Sequence, residues 1–191
     1  MSELIRQYWN KRFPKSPMVS QGLREQYKDI WFRIHVLPGS KRHAETKAEF
    51  EEVLYRHNTL CTDLFKKSRS SFLLLTEGSF SKDPVEPSYI NKRPFPMEYV
   101  ATIPMTELEP GYTSYWHIWS HAFTWTPAMF NKIFRKVAEW KVVNLMLLDT
   151  NTHRLYCPYE GGADVFLASP AERDTYKAKY KDWLSPHPSG L

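Results

Sequence analysis

Cysteine is scarce in this chain of 191 residues: there are two, Cys61 and Cys157, far apart and without metal-ligand spacing. They read as reduced core thiols, because disulfide frameworks belong to oxidising compartments and to small cysteine-dense chains. Long apolar runs are missing as well. The longest, residues 142–148, is broken by Asn144 and falls far short of the roughly 20 residues that cross a bilayer. The opening Met-Ser-Glu-Leu-Ile-Arg has no basic region followed by an apolar one, so no signal peptide is read there. Together these absences predict a cytoplasmic chain without membrane contact.

Signature motifs are lacking too. There is no nucleophile elbow, dinucleotide fingerprint, phosphate loop, Cys-x-x-Cys or His-Glu-x-x-His, so no cofactor and no metal are expected. Charge of one sign is nowhere concentrated: 26 Lys and Arg interleave with 21 Asp and Glu, for a net charge of +5. A nucleic-acid footprint would gather on one face, so the pattern points away from that partner while leaving an anionic ligand open.

What is present is ordinary globular material, 42% hydrophobic and 25% charged, with seven tryptophans. The length suits one domain, residues 1–191. Residues 2–12 read as a helix with Ser2 as N-cap and a Leu4, Ile5, Tyr8, Trp9 stripe, ended by Phe13-Pro14. Residues 29–36 alternate as a strand, with Ile30, Phe32, Ile34 and Val36 on one face and Trp31, Arg33 and His35 on the other. Residues 46–65 carry the clearest helical stripe, from Phe50 to Phe65, opened by a Thr46/Glu49 capping-box pair. Strands follow at 72–76, 99–103 and 115–125. A helix is expected from Thr126-Pro127, then strands at 142–148, 154–157 and 164–168. A last helix opens at Ser169-Pro170 with Glu172 at capping-box spacing. The order predicts an α+β fold, a largely antiparallel sheet with helices packed on one face.

Residues 77–96 form a proline-rich connection without periodicity. Loops this long inside a compact domain are uncommon, which makes it the candidate lid or partner contact.

The strand at 115–125 would place His117, Trp119, His121, Phe123 and Trp125 on one face. His117 and His121 would lie about 13 Å apart, too far to share one zinc ion with bonds near 2.0–2.1 Å. An aromatic and imidazole ladder, lining a groove or packed beneath the long loop, fits better. Arg33 and His35 share a strand face that could hold an anion or serve in acid–base chemistry. His57, inside the helical stripe between Arg56 and Asn58, reads as a core histidine with a partner. Glu160 and Asp164 flank the Gly161-Gly162 turn, where paired acids could divide acid and base roles but are first of all turn chemistry.

The stretch Trp31-Phe-Arg-Ile-His-Val-Leu-Pro-Gly-Ser-Lys-Arg-His43, followed by Arg56-His-Asn58, resembles an uncharacterised bacterial family, domain of unknown function 3885. So does Leu155-Tyr-Cys-Pro-Tyr-Glu-Gly-Gly-Ala-Asp-Val165 with the later Asp182-Trp-Leu184. The resemblance imports no activity. It groups Arg33, His35, Lys41, Arg42, Arg56, His57, Asn58, Glu160 and Asp164 as candidate residues, beside His117, Trp119 and His121 from the aromatic strand.

The expected function is a non-catalytic protein-binding module, of the kind that immunity proteins exemplify, since aromatics and Arg dominate binding hot spots. That reading expects an exposed aromatic patch at Trp119, Phe123 and the 84–96 loop. The alternative is a hydrolase or nuclease-like enzyme on an anionic substrate. It would use His35 or His117 as acid–base and Arg33, Lys41 and Arg42 to hold charge, with His35, Arg33 and Glu160 meeting in one cleft.

Overall fold

Alternation along β1 (Trp31–His35) buries Phe32 and Ile34 among the residues of a helical layer, leaving Trp31, Arg33 and His35 half-buried on the other face. The same rule organises six further strands: β2 (Ser71–Ser79), β3 (Glu98–Pro104), β4 (Tyr115–Phe123), β5 (Met146–Asp149), β6 (Arg154–Tyr159) and β7 (Gly162–Phe166). The computed structural model describes residues 1–87, 95–105 and 113–187. Its strands form one sheet in the order β1-β7-β6-β5-β2-β4-β3, every adjacent pair antiparallel. The chain is an α+β protein.

One face of the sheet packs against α3 (Lys47–Phe65) and α4 (Asn131–Ala138), with Tyr176 and Tyr180 contributed by and just after α5 (Pro170–Lys179). Leu73, Leu75, Leu147, Tyr156 and Val165 of the strands meet Leu60, Leu64, Phe134 and Val137 there, each at most 2% exposed. At roughly 1.5–3 kcal/mol per fully buried large apolar side chain, this layer is the main stabilising unit. The opposite face is also covered: α1 (Ser2–Arg12), Phe13, Met18 and the short α2 (Leu23–Gln26) pack on Phe72, Leu74, Ile118, Leu148, Cys157 and Phe166. Cys61 and Cys157 are free and belong to opposite layers, so the sheet separates them.

The caps expected at α3 and α5 form. Thr46 accepts from the Glu49 amide and Glu49 accepts from the Thr46 amide, while Ser169 accepts from the Glu172 amide. Elsewhere local signals mislead. Met1 is the N-cap of α1 and Ser2 its first residue. The helix expected from Thr126-Pro127 starts at Asn131 instead, because Ala128 takes a left-handed φ of 68° and interrupts it. Strand β1 is shorter than residues 29–36, since residues 28–30 wind into a 3₁₀ turn. At the β6–β7 turn, a Cβ on Gly162 would lie 2.0 Å from the Ile34 carbonyl oxygen, so only glycine lets β1 approach this closely.

Among the described residues, no helix is long and apolar enough to cross a membrane, and no three His, Cys, Asp or Glu side chains group as metal ligands.

Candidate functional site

The imidazole and indole ladder of β4 lies under the long loop. His117 is fully buried, its Nδ1 2.9 Å from Thr102 Oγ1 and its Nε2 3.0 Å from the Ser81 carbonyl oxygen. Trp119 donates from Nε1 to the Val85 carbonyl at 2.8 Å, and His121 Nδ1 sits 2.9 Å from the Pro96 carbonyl oxygen. Three successive side chains of one strand face thus satisfy backbone carbonyls of the loop, which could not pair with a sheet. Residues 88–94 of the loop, Pro94 among them, lie outside the described residues.

The expected exposed patch at Trp119 and Phe123 is therefore corrected. Both rings are 9% exposed; Trp119 is held under the loop, and Phe123 packs edge-on to Phe65 and Phe130.

Most of the other candidates brace the fold. His57 is sealed in the core, hydrogen-bonded through Nδ1 to the Tyr156 hydroxyl and stacked on Phe134 at 4.7 Å. Asn58 joins α3 to the α4 region: its Nδ2 donates to Leu54 O and Asn131 Oδ1, both at 2.7 Å, and its Oδ1 accepts from the Ala128 amide at 2.8 Å. Lys41 ties the approach to α3 through Glu45 at 3.0 Å and Glu49 at 2.6 Å.

Among the described residues, two concavities lie near the end of β1. The larger is a cleft of about 550 Å³, within the usual range for small-molecule sites. Its floor is the outer part of the sheet. Arg33 grips Asp164 with two bonds of 2.8 Å, and Trp31 Nε1 donates to the same carboxylate at 2.8 Å. The guanidinium also lies 4.6 Å over the Tyr159 ring. Burial works against the Arg33 charge, but the Asp164 carboxylate outweighs it and raises the pKa. Burial likewise pushes the Tyr159 phenol up to about 12, which keeps it neutral. Glu160 lines the cleft and accepts from Arg42 Nε at 2.6 Å. Arg24 and Glu25 of α2 form one wall and residues 142–144 another.

The rim of this cleft carries what sequence reasoning missed. Trp140 and Val143 are each 55% exposed. Helix α4 ends in a Schellman motif: the Trp140 amide donates to Val137 O at 3.0 Å and the Lys141 amide to Lys136 O at 2.8 Å. The residue between those bonds must be left-handed, normally glycine, and here it is tryptophan at φ 59°. Arg42 lies 5.7 Å from the Trp140 ring and the His43 ring lies tilted against it at 6.1 Å. The available signal was a tryptophan just past the helical stripe with no glycine to end the helix.

The smaller cavity, about 210 Å³, lies where β1 ends, between Ser40, Arg56 of α3 and Trp183. Arg56 is 6% exposed, donating to Glu52 at 2.6 Å and to the His35 carbonyl at 3.0 Å, with Trp183 5.1 Å away. His35 lines this cavity, not the cleft. Burial and the charges of Arg33 and Arg56 hold its pKa below the ordinary histidine value. Arg33 and Glu160 thus share a cleft as expected, whereas His35 lies apart from them.

Among the described residues, one seven-stranded antiparallel sheet, covered on both faces and bordered by concavities near the end of β1, defines a small α+β protein built around ion-paired arginines. The family model described as Domain of unknown function (DUF3885) matches residues 19–188, and the chain belongs to that family. No curated protein and no solved structure matches it.

Proposed function

We propose that the chain is a non-catalytic, cytoplasmic protein-binding module, of the kind that occupies a partner's surface as immunity proteins do, with its contact centred on Trp140. One observation carries this reading: a large aromatic ring stands half out of the surface at a backbone position that favours glycine. A left-handed conformation costs an L-residue about 1–2 kcal/mol, and strain of this sort concentrates at functional sites. Val143 extends the apolar area, while Arg42 flanks the ring and Tyr159 lines the cleft behind it. Trp, Tyr and Arg are the residues that anchor interfaces.

The enzymatic alternative loses its acid–base residues, since His35 lines a different cavity from Arg33 and Glu160 and His117 has both ring nitrogens bonded under the loop.

A photo-crosslinker at position 143, used in native cells, tests the proposal with Trp140→Gly and Trp140→Ala beside the unaltered tryptophan. The expected result is a defined crosslinked protein whose yield falls at least tenfold in both variants, as for a hot-spot residue. The glycine variant should be about 1 kcal/mol more stable than the alanine variant, because only glycine relieves the left-handed strain. Equal crosslinking in all three chains refutes the reading.

A further inference from the structure

We propose that the 210 Å³ cavity at the end of β1 binds a small, singly charged carboxylate bearing an apolar group. This goes beyond the protein-binding reading and uses none of its residues.

The anchor is Arg56, a buried cation. Its Nε and Nη1 are committed to Glu52 and to the His35 carbonyl, which fixes the plane of the guanidinium. Its Nη2 has no hydrogen-bond partner among the described residues, yet it keeps solvent access in a side chain only 7% exposed. A buried charge with an unspent, pre-oriented donor is what carboxylate recognition requires.

His35 is a second polar side chain on the lining, and its Nε2 is sealed without a partner among the described residues. Burial and the charges of Arg33 and Arg56 hold the His35 pKa below the ordinary value. Ser40 adds a hydroxyl beside them, at the left-handed second position of the turn closed by Lys41 N to Pro38 O.

The rest of the lining is apolar: Leu37, Leu184, Pro186 and the face of Trp183. That composition favours a ligand with a hydrocarbon portion, and the volume lies below the usual range for drug-sized ligands. Asp182 also borders the cavity, and Glu52 already shares Arg56. With two carboxylates there against the one guanidinium of Arg56, a second negative charge on the ligand meets more repulsion than attraction, so a monoanion is a better complement than a phosphate dianion.

The probe is isovalerate, titrated into the full chain and followed by the NMR signals of Arg56 Nε–H and the His35 ring. Isovaleramide and inorganic phosphate serve as comparisons. Saturation by isovalerate is expected below about 10 mM, in keeping with the efficiency of small ligands. The neutral amide and phosphate should each bind at least fivefold more weakly. Arg56→Gln should abolish saturation. Because that change also removes a structural brace, the exposed Asp182→Asn is the second test, and it should tighten isovalerate about two- to fivefold. Absence of saturation, equal binding of the amide, tighter binding of phosphate, or unchanged affinity in Asp182→Asn each overturns the proposal.

Discussion

Protonation of His57 should make this protein acid-sensitive well above the range where carboxylates titrate. The side chain is fully buried, one ring nitrogen is bonded to Tyr156, and the other, Nε2, is sealed with no partner. Among the described residues nothing beside it compensates a positive charge, and burial pushes its pKa down to about 3 from the ordinary 6.5. Below pH 6.5 the unfolded chain therefore binds a proton that the folded chain refuses. Stability from this group is complete above pH 6.5 and is lost as pH falls toward 3. At pH 5 the deficit is about 1.5 pH units of linkage, or roughly 2 kcal/mol at 1.36 kcal/mol per unit. A domain of this size holds only about 5–15 kcal/mol in all, so the loss is large enough to measure. Urea melts at pH 7, 6 and 5 provide the assay, with His57→Phe as the reference. Phenylalanine keeps a ring against Phe134 and removes the titration, although Tyr156 loses a partner and the level at pH 7 drops. The slope is the readout, and His35, whose pKa is lowered in the same direction, contributes equally to both chains. If His57→Phe loses as much stability between pH 7 and pH 5 as the parent, the reasoning fails.

Asp164→Asn leaves Arg33 half-buried beside a neutral amide and weakens the acceptor for Trp31. Breaking such a pair should cost about 3–5 kcal/mol, read as a lower urea midpoint, and a loss under 1 kcal/mol would show that the pair is solvated. Gly162→Ala forces a methyl group into the Ile34 carbonyl. It should destabilise the fold by more than 2 kcal/mol and raise hydrogen exchange in β1 first, while a neutral result would mean that β1 is free to shift.

Much of the secondary structure is legible from neighbours alone. The α3 stripe, its Thr46–Glu49 box and the Ser169–Glu172 cap depend on residues within one or two turns, and they stand in the structure as read. The start of α4 was not legible, because Thr126-Pro127 is a sound local start signal defeated by the left-handed Ala128. The aromatic strand shows the same division. Its alternation announced that His117, Trp119 and His121 share a face, but not that Ser81, Val85 and Pro96 would cover them.

By itself the sequence determined most of the elements and the family, since periodicity and caps are short-range properties of the chain. Only the tertiary structure decided which candidates meet. Arg33 and Asp164 are 131 residues apart and pair because β1 lies beside β7. His35 departs from Arg33 toward Arg56 because the strand ends there and α3 reaches its last carbonyl. Strand order follows from burying two apolar layers at once, a condition on the whole chain that no local window contains.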